Sequence, residues 1–148
     1  MDIHIIENNK DSYMDLLLLA DPQEDMIYKY LNRGTLFALY DEGLKTLSVV
    51  TEEGPDTCEI KNIATYEAFQ NKGYGRKMLE YIFHYYKNKY DTILVGTGDT
   101  PKTLNFYKSC GFRQSHISVN FFLNNYSEPI LEDGKQLIHM IYLKKQLK

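Results

Sequence analysis

Residues 70–77 read Gln70-Asn71-Lys72-Gly73-Tyr74-Gly75-Arg76-Lys77, two glycines one residue apart with Lys72, Arg76 and Lys77 around them. Glycine admits backbone angles closed to other residues and lets a ligand come close to the main chain. A turn that opens a helix also directs several unpaired N–H groups, and the positive end of the helix dipole, at one spot. Together these features describe an anion site suited to a phosphate-bearing ligand. The other reading is an ordinary strand–turn–helix unit whose three cations are simply solvated. A Rossmann fingerprint is excluded because its third glycine would fall at Met78, and a P-loop is excluded because no Gly-Lys-Ser/Thr follows. No Ser-His-Asp set or metal-ligand spacing is visible elsewhere, and Cys58 and Cys110 read as free thiols.

The elements that must position this turn follow from local pattern. Thr57–Thr65 before it is strand-like, and Met78, Leu79, Ile82, Phe83 and Tyr86 after it recur at helical spacing. Upstream, Ile3–Glu7 is expected as a strand and Asp11–Ala20 as a helix capped by Asp11 or Ser12. A second helix is expected from Asp21, with Pro22 at the first helical position, Glu24 completing a capping box and Gly34 as the stop. Asp21, Glu24 and Asp25 are then capping and dipole-compensating residues. Thr35–Tyr40 and Leu44–Thr51 pair through the Asp41-Glu42-Gly43 turn, and a turn over Glu52–Asp56 leads into Thr57–Thr65. Downstream, Thr92–Val95 is a strand expected to lie parallel to its predecessor, because a helix intervenes. Gly96–Pro101 is a loop and Thr103–Cys110 a short helix stopped by Gly111. Phe112–Leu123 and Leu137–Lys144 are expected as closing strands, joined by an unusually long connection over Asn124–Gln136.

Bulk properties narrow the class. A chain of 148 residues forms one domain, 1–148, and 43% hydrophobic with 25% charged residues is ordinary globular composition. Seventeen basic against twenty acidic residues, net -3, suggest no nucleic-acid partner. No cationic start followed by a long apolar core marks a signal peptide, and no apolar run reaches the ~20 residues that span a bilayer. A cytoplasmic protein without a membrane partner is the expectation.

The pattern Gln70-x-x-Gly73-x-Gly75 resembles the acetyl-CoA-binding signature Gln/Arg-x-x-Gly-x-Gly/Ala of the GNAT N-acetyltransferase superfamily. Asn105-Phe106-Tyr107-Lys108-Ser109-Cys110-Gly111-Phe112 is similar to a second family signature, Phe-Tyr-x-x-x-Gly-Phe, in the expected order and at the expected distance. The resemblance implies an α/β chain with the GNAT acyl-CoA N-acyltransferase fold: a mixed, mostly antiparallel sheet, a splayed parallel pair, and flanking helices. It implies acetyl-CoA as co-substrate, no metal, and direct attack by an amine without an acyl-enzyme. The backbone of Ile63, Ala64 and Thr65 would pair with the pantetheine arm. The main-chain amides of Gln70, Asn71, Lys72, Gly73, Tyr74, Gly75 and Arg76 would bind the pyrophosphate, and the Asn105 side chain would contact CoA. Tyr107 would protonate or hydrogen-bond the leaving thiolate.

For a base, some members carry a glutamate where Glu59 stands, which by alternation shares a face with Lys61, Ile63 and Thr65. An ion pair with a neighbouring lysine is its other reading, and Glu67 and His116 are secondary candidates. Thr100 departs from the asparagine that many relatives carry there, which puts one pantetheine contact in question. The first helical pair would wall the acceptor groove. The Asn124–Gln136 connection would border that groove or a subunit contact, its Glu128, Glu132 and Asp133 serving solubility or attracting a cationic amine. The acceptor implied is a small-molecule amine in preference to a peptide amine, with a homodimer left open. The alternative from another class is a catalytically silent acyl-CoA-binding sensor or assembly module.

Overall fold

The computed structural model describes residues 1–148. In chain order the elements are β1 (Asp2–Ile6), α1 (Met14–Ala20), α2 (Glu24–Leu31), β2 (Thr35–Tyr40), β3 (Leu44–Glu52), β4 (Thr57–Thr65), α3 (Tyr74–Tyr86), β5 (Thr92–Thr97), α4 (Pro101–Ser109), β6 (Arg113–Ser118), α5 (Phe121–Asn125), β7 (Leu131–Glu132), β8 (Lys135–Gln136) and β9 (Met140–Gln146). Seven strands form one sheet in the order β1-β2-β3-β4-β5-β9-β6, and β7 with β8 makes a separate hairpin. Every pairing in the large sheet is antiparallel except β4 with β5. No helix is long and apolar enough to cross a membrane.

A core lies on each face of the sheet. Met78, Leu79, Ile82 and Tyr86 of α3 pack on Phe37, Ile60, Ile93 and Leu143, which confirms the stripe read from helical spacing. On the other face Leu16 and Leu17 of α1 and Ile27 and Leu31 of α2 cover Leu36, Leu47, Val49 and Ala64. Burying these side chains drives the layering; each full burial contributes roughly 1.5–3 kcal/mol relative to exposure.

Two features of β4 position the site. Its parallel ladder with β5 runs only from Thr57 opposite Thr92 to Ile60 opposite Val95. Beyond that point Lys61–Thr65 and Gly96–Thr97 diverge, leaving the β5 side of the Ile63–Thr65 backbone without a ladder partner. The second feature is a bulge. Val50 pairs with Ile60 but Val49 pairs with Asn62, so Lys61 is the extra residue. A bulge reverses the alternation of side chains beyond it. Cys58, Ile60 and Ile63 consequently all face α3, whereas Ala64 packs beneath α1 and α2, and Asn62 donates to the Leu17 carbonyl of α1. Glu59 therefore shares its face with Asn62 and Ala64. The expectation that it would share one with Ile63 and Thr65 fails because simple alternation carries no account of an inserted residue.

Other expectations shift for physical reasons. The first helix opens as a 3-10 turn over Lys10–Tyr13 with no side-chain cap; the Ser12 hydroxyl donates to the Asn9 carbonyl instead. The second begins at Glu24, after extended Asp21 and Gln23, so the expected capping box does not form. The Asp21 carboxylate is engaged inside the protein, where it accepts hydrogen bonds from Tyr30 and Tyr126. The strand expected over Phe112–Leu123 stops at Ser118, because Asn120 turns left-handed (φ 58) and starts α5. The last strand begins at Met140 rather than Leu137. The long connection holds part of α5 and the β7–β8 hairpin, turned at Asp133 and Gly134.

Candidate active site

The glycine turn sits where the sequence places it. Gly73 is the left-handed residue before α3 (φ 88), preceded by left-handed Asn71 (φ 61). The Lys77 N–H reaches the Gly73 carbonyl at 3.1 Å, so the amides of Tyr74, Gly75 and Arg76 precede the intrahelical ladder and are available to an anion. The two glycines have different causes. Backbone conformation requires Gly73, although a Cβ there would meet nothing within 4 Å. Gly75 has no positive φ, and a Cβ there would meet only Phe106 Cζ, at an ordinary 3.5 Å. The protein's own packing therefore does not demand Gly75.

Neighbouring side chains brace this turn. Gln70 is exposed but engaged, its amide donating to the Glu67 carbonyl at 3.3 Å and its side chain to the Thr65 carbonyl at 3.0 Å. The Tyr74 hydroxyl donates to Asp41 at 2.8 Å, and Arg76 donates to the Ser109 hydroxyl at 2.7 Å. Lys72 is exposed.

An open cavity of about 1470 Å³ extends from this turn, past the β4–β5 gap, to α5; Gly75, Ile63, Tyr107, Glu59, Asn62 and Asp21 are among its walls. Tyr107 lies on the buried face of α4 against the rings of Phe106 and Phe112. Burial holds its phenol well above the usual range, so the hydroxyl keeps its proton and can act as a donor. Glu59 is 7% exposed, and Lys61 Nζ lies 3.0 Å from its Oε2. Burial raises its carboxyl above the ordinary range, opposed by Lys61. The ion pair read as one possibility for Glu59 is thus present, on the wall of the cavity.

Other candidates are not brought in. Asn105 is exposed on α4 and does not line the cavity; Glu67 and His116 are likewise exposed and outside it. His116 stacks on Tyr142, their centroids 4.6 Å apart. Thr100 is 1% exposed, with a hydroxyl that has no partner.

Residues that sequence reasoning missed complete the far wall. Asp21 is 8% exposed, with Tyr30 at 2.8 Å and Tyr126 at 2.6 Å, and Asn62 Nδ2 donates to the Tyr30 oxygen at 3.1 Å. The segment after α5 closes this end. Gln23 accepts from the Ser127 amide at 2.9 Å, and the Thr103 hydroxyl donates to Glu132 at 2.6 Å. No local signal in the sequence links Asp21 to Tyr126.

The family model for the acetyltransferase (GNAT) domain matches residues 32–114, which span the glycine turn, the β4–β5 gap and Tyr107. The chain belongs to the GNAT acetyltransferase family. It is 40% identical to the uncharacterized N-acetyltransferase YvbK of Bacillus subtilis (strain 168) over 144 residues, covering 95% of this chain and 93% of that one. Among solved structures, a GNAT family acetyltransferase from Elizabethkingia anophelis with acetyl-CoA bound superposes with a TM-score of 0.92 at 38% identity, covering 98% of this chain and 97% of that one. A Bacillus subtilis acetyltransferase in complex with CoA gives 0.88 at 39% identity, covering 99% and 98%. The GNAT signatures read from the sequence therefore sit in a GNAT fold, beside a cavity continuous with the site they define.

Proposed function

We propose that this GNAT enzyme transfers the acetyl group of acetyl-CoA to the primary amine of a small molecule, by direct attack within a ternary complex. The observation that carries the reading is the continuity of one cavity, from the free amides at Tyr74–Arg76, along the edge of Ile63–Thr65 that has no strand partner on its β5 side, to Tyr107 and the α1–α2 wall. Relatives of similar sequence and the same fold hold acetyl-CoA or CoA. In this chain the amides of the turn take the pyrophosphate. The backbone of Ile63, Ala64 and Thr65 takes the pantetheine amides, much as an added strand would.

The neutral amine nitrogen attacks the thioester carbonyl carbon, and the C–S bond breaks with its electron pair leaving on sulfur. Tyr107 donates its proton or a hydrogen bond to that thiolate, and Glu59 takes the proton released from nitrogen, directly or through water. The products are CoA thiol and the N-acetyl amine. Holding amine and thioester together supplies a large part of the acceleration. A small acceptor is favoured over a protein because the chain after α5 ties to Gln23 at one end and to Thr103 at the other, covering the groove.

An amine panel followed by free-thiol release tests the reading, with Tyr107→Phe beside the wild type. Turnover by the wild type is expected, with kcat in the variant lower by about 100-fold or more and the affinity for acetyl-CoA unchanged. Wild-type kinetics in the variant would remove Tyr107 from the mechanism, and no turnover by an enzyme that binds acetyl-CoA would favour the silent binding module.

A further inference from the structure

We propose that Asp21, together with Asn62 and Tyr126, docks a cationic nitrogen of the acceptor other than the one acetylated, so that the acceptor is a diamine or a larger amine with a second cation. The inference rests on the amine-acetyltransferase reading and assigns the far end of its cavity.

Asp21 is buried, yet none of the protein's ion pairs includes it. Its Oδ2 accepts from Tyr30 and its Oδ1 from Tyr126, and burial, aided by the like charge of Asp25, still raises its carboxyl above the ordinary range. A buried carboxylate without a cation is costly, so a positive partner is what the site lacks. Asn62 gives an independent indication. It is 4% exposed, its Nδ2 donates to the Leu17 carbonyl at 3.0 Å and to the Tyr30 oxygen at 3.1 Å, and its Oδ1 is buried with no partner. Rotating the amide would set Oδ1 against the Leu17 carbonyl, so the orientation is fixed and the orphan is genuine.

Both tyrosines have committed their protons to Asp21. What remains is a set of acceptors on three residues that line the cavity: the Asp21 carboxylate, the Tyr126 oxygen and the buried, unpartnered Asn62 Oδ1. An ammonium, with three N–H donors and a positive charge, complements that set. Aromatic faces add to it. Phe121 and Phe122 of α5 and Tyr126 pack on one another, with centroids 5.4 Å apart for the phenylalanines and 5.8 Å for Phe122 with Tyr126, and all three line the same cavity. Such rings attract a cation.

The docked nitrogen is not the reacting one. A carboxylate stabilises the protonated form of an amine beside it, whereas attack on the thioester needs the neutral form. The nitrogen at Asp21 is held charged and unreactive, and it positions a second, neutral nitrogen toward the β4–β5 gap.

Putrescine and butylamine share a chain length and differ in the second ammonium. With acetyl-CoA and thiol release as readout, the wild type is expected to prefer putrescine in kcat/KM by roughly 10- to 100-fold, the range of a charge-assisted hydrogen bond. Asp21→Asn keeps the size and the acceptor oxygen but not the charge; it should bring that ratio close to one with KM for acetyl-CoA unchanged. Tyr126→Phe removes one acceptor and the tie to the covering segment while keeping the charge, so it should lower both rates and reduce the ratio only in part. Equal losses on both amines in Asp21→Asn, an unchanged ratio, or a ratio that collapses equally in Tyr126→Phe would each overturn the proposal. Calorimetric titration of putrescine into the CoA-saturated enzyme reads the site without turnover. Binding that depends on Asp21 without any turnover would leave the docking site standing and sink the transfer reading. Amine turnover indifferent to Asp21 would do the reverse.

Discussion

Glu59 and Lys61 form an ion pair at the cavity wall, where burial lifts the Glu59 carboxyl and Lys61 holds it down. A base must be ionised to work, and a raised carboxyl pKa moves the loss of its ionised form to higher pH. The rate should therefore fall as pH drops through a value above the ordinary carboxylate range. Glu59→Gln should lower kcat by about 100-fold or more and abolish that acidic limb. A pH series of kcat for both proteins checks this; an unchanged limb in the variant would assign it to another group. Tyr107 and the glycine signature were legible at this scale because each rests on a short run of adjacent residues. Asp21 was not. Asp21-Pro22-x-Glu24 has the form of a capping box, and only contacts from Tyr30 and from Tyr126, 105 residues away, draw its carboxylate inward.

Elements with a strong local pattern came through the sequence well. β2, β3, β4 and α3 follow from alternation, the Asp41–Gly43 turn and helical spacing. The parallel sense of β5 follows from the helix before it. The bulge at Lys61 and the break at Asn120 did not come through, since each is set by pairing and packing with distant strands. The bulge matters most, because it brings Glu59 and Asn62 onto the α1–α2 face while Ile63 stays with the α3 core. The close approach of α2 to β3 gives a prediction at this scale. A Cβ at Gly34 would lie 2.6 Å from Val49 Cγ1 and 2.9 Å from the Tyr30 carbonyl, whereas one at Gly54 would meet nothing within 4 Å. Gly34→Ala should cost about 1–3 kcal/mol in a denaturant melt, and Gly54→Ala within about 0.5 kcal/mol of zero. Equal stability of the two variants would contradict the packing of α2 on the sheet.

The whole molecule is a sheet with a core on each face and a gap where its parallel pair separates. The gap opens into a cavity that runs on to α2 and α5, which under the proposed reaction would hold donor and acceptor together. We propose that the glycine turn beside this gap binds acetyl-CoA. Calorimetric titration of acetyl-CoA into wild type, Gly73→Ala and Gly73→Glu tests it most directly. Any side chain at Gly73 is strained by its φ of 88, by roughly 1–2 kcal/mol, so the alanine variant measures that strain alone. The expected result is saturable binding by the wild type, retained in weakened form by alanine, and lost in a glutamate variant that still melts cooperatively. A folded wild type that gives no saturable heat, or a glutamate variant that binds like the wild type, would contradict the account.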